Sequence, residues 1–191
     1  IPWWTTDIGG FHGGNIHSDQ FKECLIRWFE FATFCPVMRL HGLREPIQEP
    51  LAETGGGKMF SGADNEVWSY GEEVYEICRK YLEMREKLRP YIKGLMQEAH
   101  QRGTPLMRPL FYDFPDDRKT WEIEDEYMFG ANILVCPILH ENRREREVYL
   151  PAGLWRNIND HEIYEGERNY NCKAPLDSIP VFVKEGTLKE L

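Results

Sequence analysis

The sequence predicts two architectures in succession: an α/β half over residues 1–131 and an all-β half over residues 132–191. Three observations carry this. An aromatic and Thr-rich run, a 3.6-period helical pattern and a second strand pattern follow one another between Trp3 and His41, the order of a βαβ unit with parallel strands. A second amphipathic helical pattern runs from Val74 toward Gly103. After Pro115-Asp116-Asp117 the chain breaks into short strand patterns separated by Gly, Pro and Asn-Asp turns, as in antiparallel sheet. The change of character falls near Gly130-Ala131.

Taken in order, Trp3–Asp7 reads as a short buried strand stopped by Gly9-Gly10. Phe21, Cys24, Leu25, Trp28, Phe29 and Ala32 share one helical face, with Ser18 or Asp19 as N-cap. Pro36 closes that helix, and Val37-Met38-Arg39-Leu40 is the second strand. The Gly-rich stretch from Gly42 to Gly71 is long for a passive loop. Val74, Ile77, Cys78, Tyr81, Leu82 and Leu88 form the next inward face. Pro90 is expected to kink or restart this helix, and Gly103 to cap it. Strands are expected at Ile133–Leu139, Glu147–Leu150, Leu154–Ile158, Ile163–Tyr164 and Val181–Lys184. Their sheet should pack on residues 74–100, because the Pro115–Glu126 connection, with Trp121 and Ile123, is too apolar for a free tether.

Composition narrows the function. The chain carries 23 Lys+Arg against 32 Asp+Glu, a formal net charge of −9. Nucleic-acid binding rests on clustered cations, so no such partner is expected. An apolar share of 41% excludes intrinsic disorder. No apolar run approaches the roughly 20 residues that span a bilayer, so no membrane partner is expected. The 10 Phe, 9 Tyr and 6 Trp serve either a heavy core or a site that stacks flat ligands. Five scattered cysteines without a CxxC pair read as buried thiols of a reducing compartment, hence a cytoplasmic location. The start at Ile1-Pro2-Trp3, with no Met and no basic signal head, reads as the middle of a longer protein.

Two parallel strands and one crossover helix leave both sheet edges open. A βαβ unit whose strand ends in an acidic residue and a Gly-Gly turn suits part of a (β/α)8 barrel, where function gathers at the strands' C-terminal ends. Asp7 ends one strand, and Arg39 and His41 end the next. On the residues alone a plainer reading stands beside this one, with Asp7 capping a turn and His41 an ordinary loop histidine. His12 and His17 lack a third metal ligand in the pattern, so no metal is expected. The Arg143–Glu147 run reads as a solvated turn, and Glu122, Glu124, Asp125 and Glu126 as surface carboxylates.

Specific blocks go further. They are Trp4-Thr5-Thr6-Asp7-Ile8-Gly9-Gly10-Phe11, Met38-Arg39-Leu40-His41-Gly42, Arg89-Pro90-Tyr91-Ile92 and Gly103-Thr104-Pro105-Leu106-Met107-Arg108-Pro109-Leu110. Phe114-Pro115-Asp116-Asp117, Tyr149-Leu150-Pro151-Ala152-Gly153-Leu154-Trp155 and Ala174-Pro175-Leu176-Asp177-Ser178-Ile179-Pro180-Val181 follow. In this order and spacing, over nearly the whole chain, they resemble family 31 glycoside hydrolases, which are retaining α-glucosidases, α-xylosidases and some transglycosylases.

The resemblance implies the last two β/α units of a (β/α)8 (TIM) barrel, with Trp3–Asp7 as strand seven and Val37–His41 as strand eight. An antiparallel β-sandwich would follow from about residue 132. The family's aspartate nucleophile and aspartate acid/base would lie upstream of Ile1, so no catalytic residue is expected here. An isolated chain would be inactive without its missing N-terminal part. The chain would supply one wall of a pocket for an oligosaccharide or α-glycoside. In that wall His41 bonds sugar hydroxyls, Phe11 lines the pocket, and Asp7 and Arg39 support it as an ion pair. No cofactor is implied. Open strand edges imply self-association of the isolated piece. Lys189-Glu190 departs from the family's apolar-Pro ending, as a chain cut at a convenient point would. The reading from another class is a self-standing, non-catalytic carbohydrate-binding or structural module. The βαβ half speaks against it, because such modules are usually all-β.

Overall fold

A computed structural model describes residues 2–188 and residue 191; Ile1 and the Lys189-Glu190 departure lie outside the described residues. Strands β1 (Asp7–Ile8) and β2 (Arg39–Leu40) pair in parallel, with helix α1 (Asp19–Thr33) as the crossover. Asp7 lies opposite Arg39 and Ile8 opposite Leu40, so the expected βαβ unit is present. The regular strands are two residues each, shorter than the expected Trp3–Asp7 and Val37–Leu40. The Val37 N–H still donates to the Trp4 carbonyl at 3.1 Å, which carries the alignment back toward the N-terminus. Trp3 and Trp4 are exposed, not buried as expected, because among the described residues no third strand pairs with β1 or β2.

Helix α1 starts at Ser18, whose hydroxyl accepts the Phe21 N–H. Leu25, Phe29 and Ala32 are buried as expected, but Cys24 is exposed and Phe21 and Trp28 are half-buried. The helix also buries a polar side made of Glu23, Arg27 and Glu30. Arg27 pairs with Glu30 at 2.9 Å and donates to the carbonyls of Ala174, Ser178, Pro175 and Arg143 at 2.8–3.2 Å. Tyr81 Oη, 3.1 Å from the second Glu30 oxygen, also accepts the Ile179 N–H. This buried charged cluster is a clamp between the two halves.

Helix α2 (Glu72–Arg102) buries Val74, Ile77, Cys78, Tyr81 and Leu88, while Leu82 is 41% exposed. It neither stops nor restarts at Pro90. The ring sits on the solvent side, where the carbonyl it leaves unbonded is free to bond water. Gly103 ends the helix at φ +73°, donating its N–H to Ala99 O at 2.9 Å.

The remaining chain forms β3 (Met107–Pro109), α3 (Leu110–Asp113), β4 (Tyr127–Phe129), β5 (Ile133–Val135), β6 (Glu145–Leu150), β7 (Leu154–Asn157), β8 (Ile163–Glu165), β9 (Arg168–Lys173) and β10 (Val181–Lys184). Six strands make one antiparallel sheet in the order β3-β4-β5-β10-β7-β8, and β6 pairs with β9 in a separate ribbon. Phe129, Ile133, Val135, Val181 and Val183 pack with Leu88, Ile92 and Leu95 of α2, as the apolar connection required. The alternate residues Met128, Leu134 and Phe182 join Trp155 and the ribbon's Val148, Leu150 and Cys172 in a second core. Both faces are covered, which is why β5 and β10 read as continuous apolar runs. β3 and β4 belong to this sheet. By sheet membership the change of architecture falls at Gly103, ahead of the 131/132 division, which rested on the first continuous apolar run.

Two surface assignments are corrected. Glu126 is buried; it accepts the Tyr149 N–H at 2.8 Å, and its Oε2 has no partner among the described residues. Arg146, the second residue of β6, is nearly buried, paired with Asp125 at 2.8 Å and donating to Pro137 O at 2.6 Å. Burial pushes the Glu126 carboxyl up to about 7, against the pull of the Tyr149 N–H and Arg146. A raised folded-state pKa favours the protonated form, so this group's contribution is complete below about pH 4.5 and is lost as pH rises through 7. Chemical denaturation at pH 5 and pH 8 should therefore show a smaller loss of stability for Glu126→Gln than for the wild type. An identical loss in both proteins would place the titration elsewhere.

Candidate functional site

The C-terminal ends of β1 and β2 lie side by side, and each leads into a glycine-rich loop. Arg39 Nε donates to Asp7 Oδ1 at 2.9 Å, and Nη2 bonds the same oxygen, so the expected ion pair is present. With Arg39 half-exposed, the pair itself adds only about 0–1 kcal/mol to stability. Its value is in fixing the two strand ends.

The Phe11 ring stands 5.5 Å from the His41 ring at 34°, and 4.4 Å from the His12 ring at 76°. Phe11 and His41 are both exposed. The four residues the sequence singled out, Asp7, Phe11, Arg39 and His41, thus gather at one end of the strand pair. An open aromatic face beside an imidazole suits a flat, neutral, hydroxyl-bearing ligand. His12 joins this cluster. Among the described residues no three His, Cys, Asp or Glu side chains come together as a metal site. Among those residues, too, no helix is long and apolar enough to cross a membrane.

The loops are held by a residue the sequence analysis did not single out. Arg44 is fully buried, and its guanidinium bonds the carbonyls of Ile8 (2.8 Å), Gly10 (2.9 Å), Gly13 (3.1 Å), Leu43 (3.2 Å) and His41 (3.2 Å). Its Nε donates to Tyr70 Oη at 3.2 Å; that hydroxyl donates to Asn65, whose amide returns to Gly42 O at 3.1 Å. None of these acceptors is a carboxylate. Backbone bonds from Leu43 N–H to Phe11 O and from Glu45 N–H to Gly14 O stitch the same loops together. Two glycines leave the arginine its space. A Cβ on Gly9, at φ +81°, would lie 2.7 Å from Arg44 Nη2, and one on Gly42, at φ +132°, would lie 2.3 Å from Gly10 O. The available sequence signal was a single arginine amid conformationally special glycines.

Comparison with known proteins gives a consistent result. A family model described as the glycosyl hydrolases family 31 TIM-barrel domain matches residues 1–95, and one for the family's C-terminal domain matches residues 103–188. An alpha-xylosidase of Saccharolobus solfataricus is 38% identical, covering 100% of this chain and 24% of its own length. Alpha-glucosidase 2 of Bacillus thermoamyloliquefaciens is 35% identical, covering 95% of this chain and 20% of its own length. A crystal structure of an alpha-xylosidase from a soil metagenome, complexed with xylose, is 52% identical at a TM-score of 0.94. It covers 98% of this chain, which in turn spans 28% of that protein.

Proposed function

Because the chain belongs to glycoside hydrolase family 31, we propose that it is one part of a retaining α-glycosidase cleaving terminal α-xylosidic or α-glucosidic bonds. It contributes the last two β/α units of a (β/α)8 barrel and the β-sandwich that follows. The observation that carries this is the Asp7–Arg39 pair on aligned strand ends, with Phe11 and His41 standing together beside it. His41 offers a directional donor and acceptor to sugar hydroxyls, and the Phe11 face suits the apolar side of a pyranose ring. Neither adds charge to a neutral substrate. Asp7 and Arg39 keep the two strand ends in register, so orientation is settled before chemistry begins.

A retaining glycosidase uses two carboxylates about 5–5.5 Å apart, one to attack the anomeric carbon and one to protonate the leaving oxygen. Asp7, tied to Arg39, does not make such a pair, so we assign nucleophile and acid/base to barrel strands outside this chain. The exposed Trp3, Trp4, Leu51, Met59, Phe60 and Trp68 are surface for the rest of the barrel to cover. Five unbridged thiols, four of them buried, support a cytoplasmic location.

The test uses an aryl α-xyloside and an aryl α-glucoside. The purified 191-residue chain should hydrolyse neither and should sediment as self-associated species. The full-length protein should cleave one or both, releasing first the sugar with its α configuration retained. Turnover by the pure chain would show that the catalytic carboxylates are misassigned. Release of the β-anomer by the full-length protein would reject the retaining mechanism.

A further inference from the structure

We propose that Arg44 is a positioning residue for sugar binding: its single guanidinium sets the loop that carries Phe11 and the strand end that carries His41 relative to each other. The proposal rests on the reading of His41 and Phe11 as pocket wall. Both residues are exposed, and neither is wedged in place by a packed core. What fixes them is the backbone they stand on. Gly10 O, next to Phe11, takes a bond from Arg44 Nη1, and His41 O takes one from Nη2 of the same planar group. The separation of those two carbonyls is therefore dictated by the rigid span between the two nitrogens. Ile8 O, Gly13 O and Leu43 O fill the remaining donors, while the Tyr70–Asn65 relay and the Phe21 ring, 5.3 Å from the guanidinium carbon, fix its plane.

This is work for arginine and not for lysine. A lysine ammonium offers three donors about one point, whereas the guanidinium offers five in a fixed fork. With lysine at position 44 the charge and most of the volume remain, but one group no longer reaches both loops. A shift of about 1 Å in a substrate-positioning group costs on the order of 10²-fold in rate.

The structure holds a matched control. Arg85 also gathers backbone carbonyls, those of Thr33, Cys35 and Pro36 at 2.6–2.9 Å, but at the opposite, N-terminal end of β2. In the full-length protein, Arg44→Lys and Arg85→Lys should lower Tm to a similar degree. Arg44→Lys alone should lower kcat/KM for the aryl α-glycoside by about 10–100-fold, with KM raised at least threefold. Loss of folded protein lowers kcat and leaves KM where it was, so the rise in KM separates positioning from mere stability. In a His41→Ala background, Arg44→Lys should cost clearly less than it does alone, because part of its effect passes through His41.

The proposal is overturned if Arg44→Lys keeps kcat/KM within twofold of wild type, or if Arg85→Lys loses as much. Should Arg44→Lys fail to fold, Tyr70→Phe loosens the same guanidinium more gently. It should still raise KM, and an unchanged KM there overturns the proposal as well. His41→Ala reports on the premise separately. If that variant is fully active, the pocket reading itself fails, whatever Arg44 does.

Discussion

Replacing Arg27 with alanine is expected to destabilise the protein by about 3–5 kcal/mol, the cost of removing one partner from a buried ion pair. The side chain is only 7% exposed, and the carbonyls of Arg143, Ala174, Pro175 and Ser178 converge on it together with Glu30. Burial already pushes the Glu30 carboxyl up to about 7 against the pull of Arg27. Without the guanidinium that carboxyl takes up a proton, and the four carbonyls are left without their donor. Arg79→Ala is the comparison: its pairs with Glu76 and Glu83 lie on the open face of α2, and no measurable change is expected. Chemical denaturation of both variants decides the matter. A loss below about 1 kcal/mol for Arg27→Ala would mean that the clamp is not needed to join the halves.

The largest functional effect is expected at His41. In the full-length protein, His41→Ala should lower kcat/KM by about 10–1,000-fold, the cost of one or two strong hydrogen bonds to the sugar in the transition state. Folding should be nearly untouched, because the imidazole is exposed and, among the described residues, its one ring neighbour is Phe11. The measurement is steady-state turnover of an aryl α-xyloside and an aryl α-glucoside, with Tm as the control. An unchanged kcat/KM would remove His41 from the site.

The parts of this molecule legible in the sequence are those where local pattern and global packing agree. The βαβ order, the Ser18 cap, the Gly103 stop and the apolar runs of β5 and β10 are of that kind. Asp7, Phe11, Arg39 and His41 stand out because short blocks around strand ends keep their spacing, and the structure joins them as two pairs, Asp7 with Arg39 and Phe11 with His41. Other parts hid for physical reasons. β9 reads as polar because of its six residues only Cys172 is buried. β3 and β4 are three residues each, too short to show a period. Glu126, Arg27 and Arg44 look like solvent-facing charges until their acceptors, distant in sequence, fold around them.

Helix α2 has 31 residues, about 46 Å of continuous rod. Its first half rests on α1 through residues such as Val74 and Tyr81, and its second half presents Leu88, Ile92, Leu95 and Ala99 in the core shared with the sheet. The second architecture therefore has no floor of its own: the underside of its sheet is furnished by a helix belonging to the first. That bears on heredity as much as on folding. A recombination joint cut at Gly103, tidy as it looks in sequence, would hand the new host a sheet with one oily face bare. An exchange at that joint would need an incoming helix with a matching apolar stripe, so the two architectures fold as a single unit.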